Sequence, residues 1–241
     1  MTRISAYWRP SSIEEALTYL GRPGAMVIGG GTRLHALSGA ELLEVVDLQD
    51  LGLAAIERLG PDAMVIGAMA TLQELAESND VPAAIREAAK HELPSTLRAQ
   101  ATVGGCIAGA DRESELLATL LAHDAAVHLA EDEQVEELTL EALLPRMPLG
   151  AGRIITAVTI DTRGTTAVAR SARTHADRAI VSAVARVVDG ERRLALSGVA
   201  DTPVLVDQAG GLEPFSDYRG SAEYRRNLAE VLVSRVMKEI S

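Results

Sequence analysis

One cysteine, Cys106, stands in the 241 residues, so no disulfide forms within the chain. An iron–sulfur cluster, usually held by about four thiolates, cannot be carried by this chain alone. Aromatic residues are as scarce. One Phe, one Trp and four Tyr leave no set of stacking platforms for unpaired bases. Basic residues are outnumbered, 23 against 34 acidic, and the net charge of −11 repels phosphate backbones and anionic membrane surfaces. No segment approaches the ~18 apolar residues of a membrane span. The first ten residues, Met1 to Pro10, lack the apolar stretch of a secretory signal. These absences argue against nucleic-acid binding and a membrane span, and the lone thiol suits a reducing cytoplasm. The five histidines (His35, His91, His123, His128, His175) are scattered. His123 and His128, five apart, share neither a helix nor a strand face, so no metal site is expected.

What is present is an ordinary globular core. Apolar residues make up 47% of the chain, and a chain of this size buries ~70% or more of its unfolded surface as one large or two small domains. The first forty residues predict strand, helix, strand and a glycine-rich turn. Ser11 or Ser12 caps a helix with Ile13, Ala16, Leu17 and Leu20 on one face, and Ala25 to Ile28 is a short strand. Further strands are expected at Val45 to Leu48 and Met64 to Gly67. Thr71 with Glu74 forms a capping box for a helix to Glu77, and Val81 to Lys90 is another helix. Hairpins follow. Ala125 to Ala130 and Val135 to Leu140 flank a charged, solvated turn, and Ile180 to Val188 and Arg192 to Val199 flank Asp189-Gly190, suited to a type I′ turn. Ser221 caps a last helix with Tyr224, Leu228, Val231, Leu232, Val236 and Ile240 as its core stripe. A break at Asp161 to Thr165 predicts a larger domain, 1–162, and a smaller one, 163–241.

Two glycine clusters carry the chemistry. Gly29-Gly30-Gly31-Thr32 follows a buried strand and offers backbone N–H groups with no Cβ in the way, as a phosphate requires. It is neither a P-loop nor a G-x-G-x-x-G fingerprint, and a plain strand-to-helix turn reads equally well. Thr102-Val103-Gly104-Gly105-Cys106 repeats the composition, and two such loops suit the two phosphates of one dinucleotide if they meet in space.

The order Tyr7-Trp8-Arg9-Pro10, Val27 to Leu34, Val45 to Leu48, Ile66-Gly67-Ala68, Leu97 to Gly105, Leu120 to Ala125, Arg153 to Val158, Ala179 to Ala185, Gly198 to Pro203 and Gly220 to Arg225 resembles the FAD-binding medium subunit of molybdenum hydroxylases. That family includes carbon monoxide dehydrogenase and xanthine dehydrogenase, and the resemblance spans essentially the whole chain. It implies an α+β fold in which two α/β lobes, roughly 1–55 and 56–162, grip FAD ahead of a small α+β C-terminal domain. The residues implied at the cofactor are Val27, Ile28, Gly29, Gly30, Gly31, Thr32 and Arg33, then Thr102, Val103, Gly104, Gly105 and Cys106, the pair Ser114-Glu115, and, more loosely, Ile155 and Arg170. It further implies electrons arriving from iron–sulfur clusters on a small subunit, after oxidation of substrate at molybdenum on a large one, and leaving to NAD, a quinone or oxygen. No acid–base residue of this chain is required.

The chain departs from that pattern. Asn is usual where Cys106 and Gly109 stand, and Asp111-Arg112-Glu113 replaces a small, Pro-containing run. Asp111, Glu113 and Glu115 are expected to set like charges near the phosphates, with Arg112, Arg98 or Arg33 to offset them. Two other readings remain open: a stand-alone flavoprotein oxidoreductase, and a scaffold that has kept the fold without the flavin. Cys106 reads as a redox thiol or as a small buried residue. Valine at Gly30 or Gly104 is expected to expel FAD while leaving the fold largely intact.

Overall fold

A computed structural model describes residues 3–33, 42–132, 134–174 and 177–241. His35, Glu133 and His175 lie outside the described residues. The chain opens with β1 (Arg3–Trp8), α1 (Ile13–Leu20), β2 (Ala25–Ile28) and β3 (Leu42–Asp47). Ser12 is the cap that starts α1, its hydroxyl accepting from the Glu15 N–H at 3.2 Å. The three strands form a parallel sheet in the order β1-β3-β2. Its apolar side packs with Ala16 and Leu20 of α1 against Ala130 and Ile154 of the next unit.

The next unit holds β4 (Ile56–Leu59), β5 (Ala63–Gly67), α2 (Leu72–Glu77), α3 (Ala83–Glu92), α4 (Ser95–Arg98), α5 (Val103–Gly109) and α6 (Glu115–Ala122). It continues with β6 (Ala126–Glu131), β7 (Gln134–Thr139), α7 (Leu140–Leu143) and β8 (Arg153–Asp161). The expected Thr71–Glu74 capping box is present at α2. The strands order as β4-β5-β8-β6-β7 and are antiparallel throughout. All eight residues of α6 are buried, because the helix lies between this sheet's core and Val184 and Ala195 of the following sheet. A helix apolar on every side needs such a sandwich.

The last sheet is β9 (Thr165–Ser171), β10 (Val181–Val188), β11 (Glu191–Ser197) and β12 (Val204–Leu205), antiparallel in the order β12-β11-β10-β9 and covered by α8 (Ala222–Glu239). Asp189 and Gly190 both take positive φ, 52° and 84°, as a type I′ turn requires. Of the expected α8 stripe, Leu228, Leu232, Val236 and Ile240 pack on the core, and Tyr224 and Val231 do not. Arg225, Ala229, Leu232 and Val236 are buried, whereas Tyr224 and Val231 are 45% and 48% exposed. The helix is phased by Arg225, whose guanidinium is drawn inward to the carbonyls of Ile180 (2.7 Å) and Gly198 (3.1 Å). A second fully buried guanidinium, Arg186 on β10, reaches the Ala122 and Arg163 carbonyls, Asp124 and Asp161, and so ties the last two sheets together.

The same junction holds a neutral histidine. His123, 2% exposed, donates from Nδ1 to the Asp161 carbonyl at 2.8 Å, and its Nε2 accepts from the Thr166 hydroxyl at 3.2 Å. Burial pushes its imidazole from the ordinary 6.5 down to about 4. Between those values the unfolded chain binds a proton that the folded chain does not. The stability His123 confers is therefore complete above pH 6.5 and is lost as the pH falls toward 4. The urea midpoint of the wild type should fall through this window more steeply than that of His123→Gln. Parallel curves would show that His123 is not the linked group.

Candidate cofactor-binding site

The parallel sheet and the five-stranded sheet leave between them a cavity of about 570 Å³. One wall is the end of β2 and the loop 29–33. The facing wall is Thr102 and α5, with Ala68 and Met69 beyond β5. Residues 148–153 and Ile155 close one side, and Glu92, Leu93 and Arg178 another. The lining is mainly apolar, with a few charged groups, as small-molecule sites commonly are.

The two glycine clusters do meet. A Cβ on Gly30 would lie 1.5 Å from the Gln100 carbonyl oxygen, and one on Gly29 would lie 2.9 Å from Thr102 Oγ1. A Cβ on Gly104 would sit 2.7 Å from Ala68 Cβ and 2.9 Å from the Ala68 oxygen. Gly30 and Gly104 are demanded by the protein's own backbone, so valine there disrupts the packing of the loops and does not leave the fold intact. Gly105 differs. It is exposed, and a Cβ there would meet only Thr102 Oγ1, at 3.0 Å. Its open side is the cavity.

The loops differ in what their N–H groups can offer. In the second, Val103 and Gly104 donate to the Ala70 and Ala68 carbonyls, Gly105 to Thr102 Oγ1 and Cys106 to the Thr102 carbonyl. In the first, the N–H groups of residues 29–32 have no acceptor among the described residues, and Gly31 turns the chain at φ 70°. Successive unpaired N–H groups in a turn form an anion cradle. The cavity therefore fits a dinucleotide: a cradle for the diphosphate beside an apolar chamber for its ring system.

Of the residues expected at the cofactor, Val27 to Arg33, Thr102, Gly104, Gly105, Cys106 and Ile155 line the cavity. Val103, Ser114, Glu115 and Arg170 do not. Ser114 caps α6 and donates to Glu92 at 2.9 Å. Glu115, 3% exposed, is held by Arg170 Nε at 2.8 Å and His91 Nδ1 at 3.2 Å. The anticipated like-charge cluster is neutralised, because each carboxylate has a guanidinium: Arg178 on Asp111 at 3.0 Å, Arg219 and Arg225 on Glu113, and Arg170 on Glu115. Arg112 instead covers the Phe215 ring at 4.0 Å, and Arg98 bonds the Lys90 carbonyl. Cys106 is buried, and burial first, then the Glu92 charge, pushes its thiol up, so it is not a reactive thiolate. Among the described residues no group of His, Cys, Asp and Glu side chains could hold a metal ion, and no helix is long and apolar enough to cross a membrane.

Sequence reasoning missed Glu92, Arg178 and the wall 148–153. Three glycine or alanine positions, Gly150, Ala151 and Gly152, precede β8 and mark that wall only in hindsight. Glu92 and Arg178 carry no local signal.

Residues 2–161 match the FAD-binding domain of molybdopterin dehydrogenases. The chain belongs to that family. The uncharacterized protein YgfM of Escherichia coli (strain K12) is 32% identical, over 96% of this chain and 94% of its own. The carbon monoxide dehydrogenase medium chain of Afipia carboxidovorans is 28% identical, over 96% and 95%. The reconstituted CO dehydrogenase from Oligotropha carboxidovorans superposes with a TM-score of 0.85 at 27% identity, covering 100% of this chain and 99% of the other. The protein is thus an FAD-binding oxidoreductase subunit of the molybdenum hydroxylase type, with the α+β fold of the medium chain.

Proposed function

We propose that this FAD-binding subunit is the electron outlet of a molybdenum hydroxylase complex. In this reading it receives electrons from iron–sulfur clusters on a small partner subunit, which are reduced by a large molybdenum subunit, and passes them to NAD, a quinone or oxygen in the cytoplasm. The observation that carries the cofactor half is the cavity wall 29–32, four N–H groups with no acceptor among the described residues, set against the open face of Gly105. One cysteine cannot ligate a cluster, so in this reading the clusters that feed the flavin sit on another chain. The division proposed is 1–162 for FAD and 163–241 for the C-terminal domain.

FAD supplies the redox chemistry when bound, accepting and releasing electrons singly or in pairs. The chain's own residues anchor, orient and exclude water. The loop 29–32 presents its N–H groups to the diphosphate. Met26, Met69, Leu93, Leu149 and Ile155 offer apolar surface to the ring system and keep water from it. Ser114, Glu115 and Arg170 act from behind, with Ser114 and Glu115 starting α6 and Arg170 holding Glu115 to β9.

Affinity capture of this chain from its native cells, followed by metal analysis, tests the partner half. Recovery of molybdenum and iron with two further polypeptides is expected. Recovery of the flavoprotein alone, active with an external reductant, would replace the complex with a stand-alone oxidoreductase.

A further inference from the structure

The turn that ends α5 lacks the side-chain amides expected there, and two guanidiniums stand in their place. A Cβ built on Gly109 would lie 2.1 Å from Arg33 Cζ and Nη1 and 2.6 Å from Nη2. The Arg33 guanidinium thus occupies the space a side chain at 109 would need, with Nη1 donating to the Gly109 carbonyl at 3.3 Å. Arg33 is exposed, lines the cavity, and has no carboxylate within ion-pair distance among the described residues. Its remaining donors have no acceptor there either.

Two residues further along the same turn, Asp111 holds the second guanidinium. Arg178 Nη1 donates to Asp111 at 3.0 Å, while Arg178 Nη2 is buried, 3.6 Å from Glu92 and without a hydrogen-bond partner. A buried donor left unpaired is costly, and the residue that carries it lines the cavity. Both guanidiniums lie close enough to Cys106 to act on its thiol, opposing the effect of burial. They come from distant parts of the chain, the first loop and the segment before β10. Arg178 is also beyond the stretch that matches the FAD-binding family.

We infer that Arg33 and Arg178 form a two-guanidinium clasp on the diphosphate of the cofactor, and that Gly109 is small so that Arg33 can sit over the end of α5. The inference rests on the FAD reading. It adds two cations to the neutral N–H groups of the loop 29–32, and it makes the segment before β10 a part of the cofactor site. Paired guanidiniums suit a diphosphate because each presents a planar fork of donors to phosphate oxygens.

The test is the affinity of the cofactor-free protein for FAD, ADP and riboflavin, at low and at high salt, for wild type, Arg33→Gln, Gly109→Ala and Arg178→Lys. Gly109→Ala keeps the arginine but evicts it, and the obstacle is only the end of a flexible side chain, so its thermal stability should be retained. Arg178→Lys keeps the charge facing Asp111 and Glu92. Each variant should weaken FAD and ADP by about tenfold or more, as the loss of a charge-assisted hydrogen bond predicts. Arg33→Gln and Gly109→Ala should also flatten the salt dependence, Arg178→Lys should keep it, and all three should leave riboflavin, which has no phosphate, unchanged. The clasp is overturned if wild type binds FAD and the variants bind FAD and ADP equally well, or if riboflavin weakens in step. Wild type that binds neither FAD nor ADP would instead remove the FAD reading itself.

Discussion

Alanine in place of Gly30 is expected to unseat the N-terminal sheet from the rest of the protein, with loss of FAD as a secondary effect. The added methyl carbon would have to occupy a point 1.5 Å from the Gln100 carbonyl oxygen. That obstacle is backbone, held by the hydrogen bonds of the Gln100 and Ala101 N–H groups to the Leu97 carbonyl. Neither side can yield cheaply. Overpacking against fixed backbone costs roughly 3 kcal/mol or more, a large part of the 5–15 kcal/mol typical of a domain. The control is Gly105→Ala, where the new carbon meets only the Thr102 hydroxyl and otherwise faces the cavity. Urea unfolding should show a strongly lowered midpoint for Gly30→Ala and a near-normal one for Gly105→Ala, which should bind FAD less tightly. Equal stability of Gly30→Ala and wild type would mean that the two loops do not touch as described.

Leucine in place of Arg225 is the other large effect. This fully buried guanidinium donates to the Ile180 and Gly198 carbonyls, pairs with Glu113 and Asp217 at 2.8 Å each, and lies over the Phe215 ring at 4.1 Å. Its removal leaves two carbonyls without that donor and two carboxylates, Glu113 and Asp217, each short of one partner. Breaking a buried pair from one side costs about 3–5 kcal/mol, or a fall in Tm of roughly 10 °C for a chain of this size. Lysine should rescue little, because a single ammonium cannot reproduce the planar fork. A differential scanning trace unchanged by Arg225→Leu would contradict the role given to this residue. Because Glu113 lies on the turn between α5 and α6, the same variant should loosen the cofactor wall along with the last sheet.

Local signals were legible in the sequence. The Thr71–Glu74 capping box, the Asp189-Gly190 turn and the strand running into Gly29 each follow from residues within a few positions of one another, and each is present. The family likeness extended that reading to the fold and the cofactor. What stayed hidden was non-local. Arg178 meets Asp111 across 67 positions and Arg225 meets Glu113 across 112, and no periodicity connects such pairs. The core stripe of α8 departs from expectation only at Tyr224 and Val231, because hydropathy places an arginine on the solvent side, whereas two buried carbonyls draw Arg225 inward. The phosphate-site glycines posed a related problem. Composition shows that a glycine is present, but only the path of the neighbouring backbone distinguishes Gly30, which admits Gln100, from Gly105, which faces the cavity. Likewise, the acidic run 111–115 looked hostile to phosphates until its partners Arg170, Arg178, Arg219 and Arg225 were in place.

The central claim is that the cavity between the first two sheets binds FAD. The most direct measurement is the visible absorption spectrum of the purified chain before and after addition of FAD, with mass spectrometry of whatever denaturation releases. Flavin bands at near-stoichiometric intensity, with intact FAD released, are the expected result. A cooperatively folded protein that stays colourless, and takes up no FAD on reconstitution, would contradict it.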